Sequence, residues 1–93
     1  MSSAYYELLK GIETRLKAGI PLRDSLEGLE RDGRGALAAL AGALRSQIEA
    51  GATLAQALGD LPASTPPAHA ALIDAGESSG RLNETLPDII VEE

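Results

Sequence analysis

The 93-residue sequence contains no cysteine, no phenylalanine and no tryptophan. Without cysteine there is no disulfide, no zinc-finger thiolate set and no thiol nucleophile. The absence also fits a reducing compartment. The aromatic side chains are Tyr5 and Tyr6, so a core has to be assembled from leucine, isoleucine and alanine. Few β-branched residues are present to support a sheet, and that composition favours helices packed closely through small side chains. Basic residues are also in deficit: 8 Lys and Arg stand against 14 Asp and Glu, a net charge of −6. No Lys or Arg run exists to make the basic footprint of a nucleic-acid binder, and the acidity opposes a free-standing binder of anionic membranes. It fits a solvated surface, or a soluble domain that meets a basic partner. No apolar run approaches the ~20 residues that cross a bilayer. The opening MSSAYYELLK lacks the basic-then-apolar order of a signal peptide.

What is present is a globular composition, 44% hydrophobic, in a length suited to one domain. Apolar spacings of three and four mark successive helices. Tyr5, Leu8, Leu9, Ile12 and Leu16 form the first stripe, capped at Ser2 or Ser3 and stopped by Gly19. Gly11 inside it signals close packing, because an interior glycine costs up to ~1 kcal/mol. Pro21 opens a second helix bearing Leu22, Leu26 and Leu29, and Arg31-Asp32-Gly33-Arg34-Gly35 ends it. A third runs over residues 35–50 with Leu37, Leu40, Ala41, Leu44 and Ile48, and Gly51 stops it. Thr53 reads as the N-cap of a short fourth helix with Leu54, Ala57, Leu58 and Leu61. After a Pro-rich break over residues 62–67, Thr65 caps a fifth helix whose stripe is Ala68, Ala71, Leu72 and Ala75, ended by Gly76 or Gly80. A sixth carries Leu82, Leu86, Ile89 and Ile90, with Asn83 as a late N-cap and Pro87 expected to kink or delay it.

An internal repeat organises these segments. The pattern A-G-x-x-L-x-x-small-L-x-x-L occurs at Ala18-Gly19 through Leu29 and again, offset by 32, at Ala50-Gly51 through Leu61. Ala75-Gly76 followed by Leu82 and Leu86 is a looser third copy. Each copy reads as helix stop, tight turn and two leucine-bearing turns of the next helix. The expected fold is therefore all-α: a compact antiparallel six-helix bundle built from three helical hairpins.

Three groups of residues bear on whether the chain does chemistry. Gly76-Glu77-Ser78-Ser79-Gly80 lacks the lysine, the spacing and the preceding strand of a phosphate loop. A serine nucleophile at Ser78 or Ser79 would need a base, and the single histidine, His69, lies at the far end of the fifth helix, about 15 Å away at 1.5 Å per residue. His69 is expected to be a surface or capping residue. Glu27, Glu30 and Asp32, and likewise Asp74 and Glu77, gather carboxylates but lack EF-hand spacing, so they read as a solvated acidic face. Glu77 is expected beside the amides that open the sixth helix, where the helix dipole favours an anion, or paired with Arg81. No catalytic residue, cofactor or metal is expected.

The motifs together resemble the F domain of bacterial type II secretion and type IV pilus assembly, the cytoplasmic part of the inner-membrane platform protein. Ala18-Gly19-Ile20-Pro21-Leu22 matches the family's first corner, and Gly51-Ala52-Thr53-Leu54-Ala55-Gln56-Ala57-Leu58 its second. Ala75-Gly76-Glu77-Ser78-Ser79-Gly80-Arg81-Leu82 through Leu86 is a full match to its signature A-G-E-x-S-G-x-L-x-x-x-L. Two departures stand out: Leu61-Pro62 replaces the Phe-Pro of many members, and Pro87 falls where members continue a helix. The resemblance implies a non-catalytic scaffold, residues 1–93 being one cytoplasmic domain of a longer membrane protein. Its implied partners are the assembly ATPase and other platform components at the cytoplasmic face of the inner membrane, with self-association, no nucleic acid, and membrane contact only through segments outside this chain. Arg23, Glu27, Glu77 and Arg81, polar residues beside the corners, are the expected contact residues. Gly19, Pro21, Gly51, Gly76 and Gly80 are the expected turn residues. The competing readings are a generic helical adaptor or dimerisation domain unrelated to secretion, and a small enzyme.

Overall fold

A computed structural model of the chain describes residues 3–61 and 67–90. These are all-α: α1 (Ser3–Lys17), α2 (Leu22–Asp32), α3 (Gly35–Glu49), α4 (Leu54–Gly59), α5 (Pro67–Ser79) and α6 (Leu82–Ile90). The caps expected at Ser2 and Thr65 and the break over residues 62–66 lie outside the described residues. Each helix packs on the next in sequence, α6 returns to α1, and α1 also touches α3. The result is a closed ring of helices with extents of 28 × 28 × 24 Å.

Position in that ring decides which faces are buried. α1 meets three other helices, so its buried arc is wider than one stripe. Tyr5, Leu8, Leu9 and Ile12 are buried as the spacing predicts, and Tyr6 is buried beside them, edge-on to Tyr5 with ring centroids 5.4 Å apart. Leu26, Leu29, Leu44, Leu54, Leu58, Leu86 and Ile89 complete most of the core. Each buried leucine or isoleucine contributes about 1.5–3 kcal/mol relative to exposure.

The fifth helix departs from expectation. Its buried side is His69, Ile73 and Gly76, whereas Ala68, Ala71 and Ala75 are exposed and Leu72 is 42% exposed. The true stripe has helical spacing, but one of its members is polar and another has no side chain. An alanine-rich neighbour face therefore carried the stronger apolar signal. His69 is neither a surface nor a capping residue: it is 5% exposed, with its ring parallel to Tyr5 at 6.5 Å.

The three hairpins share one corner. At the end of α1, the Gly19 amide donates to the Leu16 carbonyl and the Ile20 amide to Arg15, both at 3.0 Å. At the end of α3, Gly51 donates to Ile48 and Ala52 to Gln47, also both at 3.0 Å. At the end of α5, Gly80 donates to Glu77 at 3.3 Å and Arg81 to Gly76 at 2.7 Å. All three are Schellman motifs, with a glycine in the left-handed region closing the helix: φ is 87° at Gly19, 104° at Gly51 and 74° at Gly80.

This corrects the third copy of the repeat. Its corner glycine is Gly80, not Gly76, which lies inside α5 and is buried. With Gly80 in register, Leu82, Thr85, Leu86 and Ile89 repeat Leu22, Ser25, Leu26, Leu29 and Leu54, Ala57, Leu58, Leu61. The turn is one residue shorter, so alignment by a fixed offset misses it. α6 accordingly starts at Leu82, making Asn83 its second residue rather than its N-cap. Pro87 does not delay the helix but sits within it. The amide it lacks would have served the carbonyl of Asn83, an exposed residue that water can satisfy.

Candidate functional site

The signature segment begins on α5 and acts on α4. α4 has only six residues, too few to be stable alone, so its start needs outside support. Four amides there would otherwise lack acceptors. Thr53 Oγ1 accepts the Gln56 amide at 3.1 Å, and Gln56 Oε1 accepts the Thr53 amide at 2.9 Å, a complete capping box. The remaining two are taken by Glu77. The Leu54 amide donates to Glu77 Oε2 at 2.7 Å and the Ala55 amide to Oε1 at 3.0 Å. A bidentate carboxylate at a helix start gains from both hydrogen bonding and the dipole. The expectation of an anion at a helix start thus applies to α4 and not to α6. The sequence spacing is 23 residues, beyond the reach of local pattern.

Gly76 brings α5 close to α6. A Cβ at that position would lie 2.5 Å from Thr85 Oγ1 and 3.0 Å from Thr85 Cβ. Two grooves flank this contact. One, of about 410 Å³, lies between the first and third corners, with Leu16, Leu22 and Leu82 as its apolar lining. The other, of about 350 Å³, runs between α5 and α6 and holds Leu72 and Arg81.

Arg23 and Glu27 lie elsewhere. Arg23 donates to Glu49 of α3 at 2.8 Å and to Asp24 at 3.0 Å, and reaches Glu27 at 3.4 Å. Glu49 also accepts from Arg45 at 3.1 Å, and Arg45 binds Glu30 at 2.7 Å. This chain of charges fastens α2 to α3. The Asp24 hydrogen bond, then that of Glu49, raises the pKa of the Arg23 guanidinium, and the Arg45 hydrogen bond lowers that of the Glu30 carboxyl. The four expected contact residues therefore occupy three settings: Arg23 and Glu27 on α2, Glu77 under α4, and Arg81 at the α5–α6 groove.

Most of the residues considered for chemistry are engaged structurally, while Ser78 and Asp74 are exposed. Ser79 Oγ donates to the Gly76 carbonyl at 3.3 Å, while His69 is packed on Tyr5. Glu27 faces Arg23, Glu30 faces Arg45, and Asp32 faces Arg31 at 3.2 Å and Arg15 at 3.8 Å. Among the described residues, no three His, Asp or Glu side chains converge as metal ligands would. No helix among them is long and apolar enough to cross a membrane.

The segments built here into corners also align with a known family. Residues 14–92, most of the chain, match the family model described as type II secretion system (T2SS), protein F.

Proposed function

This chain belongs to the protein F family of type II secretion systems, and from that premise we propose that it is a non-catalytic scaffold of a secretion or pilus platform. In this reading it sits at the cytoplasmic face of the inner membrane and holds the assembly ATPase and other platform components through surface contacts. The observation that supports it is the use made of the signature segment. Glu77, the carboxylate between its two glycines, accepts two α4 amides, and Gly80 closes a helix. Residues that in an enzyme would face a substrate here join helices to one another. What the domain offers outward is a rigid all-α surface, with Arg23 and Glu27 on one side and Arg81 on another as proposed contacts.

The test is co-purification. The tagged chain, mixed with the cognate assembly ATPase and separately with the other platform components, is expected to retain at least one of them. Retention should survive Glu77→Gln provided the fold survives. A correctly folded chain that retains none of them would overturn the reading.

A further inference from the structure

The groove between α5 and α6 is edged by two stripes. Leu72, Ala75 and Ser79 run along α5, while Arg81, Glu84 and Asp88 run from the corner along α6. Both sets are spaced by three and then four residues, so each forms one line along its helix. Two features set this face apart. Leu72, at 42% exposure, is the more open of the two large apolar side chains left exposed among the described residues, the other being Ile20. The charges here are also unspent. Among the described residues no ion pair engages Arg81, Glu84 or Asp88, whereas every other arginine except Arg34 has a carboxylate.

We propose that this groove receives an amphipathic helix from a protein partner, which deepens the scaffold reading and rests on it. The groove volume of about 350 Å³ accommodates a few side chains, not a folded element. Small residues at Ala75 and Ser79 let a helix backbone approach, and Leu72 offers an apolar contact for a leucine-type side chain. The rim fixes the charge order of the occupant. It carries two Lys or Arg one turn apart for Glu84 and Asp88, and an acid three positions away for Arg81. The sequence form is acid-x-x-base-x-x-x-base, or its reverse for the opposite helix direction.

The same charges disfavour other occupants. Two acids to one base repel an anionic membrane. A two-fold pairing of two copies that matched Arg81 with Asp88 would set Glu84 against Glu84.

The test uses labelled alanine-based helical peptides of ~18 residues, long enough to hold a helix, with a leucine stripe and that charge pattern in both directions. A control peptide has every charge exchanged. Titration by fluorescence anisotropy at low salt is expected to show saturable binding of one patterned peptide and none of the control. Leu72→Glu and the double variant Glu84→Lys/Asp88→Lys should each weaken binding about tenfold. Added salt should weaken it as well, and the double variant should gain affinity for the control peptide. All three positions are exposed, and unchanged melting of the variants confirms that folding is not the cause.

Equal binding of both peptide types, binding of neither, or full binding by the double variant would overturn the proposal. So would self-association, or binding to phosphatidylglycerol vesicles, that Leu72→Glu abolishes, because either assigns the groove to another occupant. The scaffold reading fails separately. Retention of the ATPase by wild type and double variant alike, without peptide binding, sinks the groove alone. Peptide binding without retention of any platform component sinks the scaffold assignment alone.

Discussion

Glu77 of α5 accepts the amide of Leu54, the first residue of α4, at 2.7 Å, and its second oxygen holds the next amide. The longest-range part of the signature segment is thus a cap supplied by one helix to another. Glu77→Ala strands two amides at the start of a six-residue helix, and about 2 kcal/mol should be lost. In a domain of this size that lowers the melting temperature by roughly 10 °C. Glu77→Gln keeps one acceptor oxygen and should lose about half as much. Hydrogen exchange provides the specific readout: protection at Leu54 and Ala55 should fall more than protection in α1. A uniform loss, or none, would show that the cap is dispensable.

Gly80 sits at φ 74° with open space where a Cβ would point. Its substitution is therefore governed by backbone conformation and not by collision. Gly80→Val should destabilise by about 2 kcal/mol and Gly80→Ala by about 1, with Gly80→Asn least affected because asparagine tolerates this region. Gly80→Val should also exceed Glu77→Gln. Identical thermal melts for Gly80→Val and wild type would refute the conformational argument.

These two positions show how far the sequence could be read. Gly80 was legible as part of a corner because a glycine between two leucine-bearing segments is a local signal. The partner of Glu77 was not, because a carboxylate near several helix starts gives no local sign of which one it caps. The faces of α1, α2, α3, α4 and α6 followed from leucine spacing. α5 did not, since His69 and Gly76 contribute nothing apolar to the stripe that Ile73 completes, while Leu72 and three alanines supplied a false one. The third corner was hidden by a turn one residue shorter than the others. The expected contact residues were chosen for nearness to the corners, and nearness in sequence left Arg81 on a different face from Arg23.

Two glycines inside helices should respond differently to the same substitution. Replacing glycine by alanine in a helix interior ordinarily gains up to about 1 kcal/mol. At Gly42 the added Cβ would meet Glu30 Oε2 at 2.5 Å and Cδ at 2.9 Å. That is the end of a half-buried side chain that can shift only by loosening its hydrogen bond to Arg45, so the two effects offset and Gly42→Ala should be near neutral. At Gly76 the Cβ would meet Thr85 Oγ1 at 2.5 Å and Cβ at 3.0 Å, on a packed helix with no such freedom. Gly76→Ala should destabilise by about 1–3 kcal/mol. The double variant Gly76→Ala/Thr85→Gly should cost less than the sum of the single changes. Additive costs would mean that α5 and α6 do not meet at this contact.

The Arg45–Glu30 pair gives the domain an acid-sensitive join between α2 and α3. Hydrogen bonding to Arg45 lowers the Glu30 pKa on folding. A depressed folded-state pKa means that the unfolded chain binds the proton more readily. The stabilising contribution is therefore complete above the ordinary glutamate range, about pH 4 to 5, and is lost as pH falls through the lower folded value. Denaturant unfolding of wild type and Glu30→Gln between neutral and acid pH should show the wild-type advantage shrinking across that window. It should be smaller throughout at high salt, because both side chains touch solvent. Arg45→Gln should remove the same pH-dependent part and also release Glu49, leaving Arg23 as its remaining partner. A constant difference between wild type and Glu30→Gln at every pH would mean that the pair exists without contributing its charge to the join.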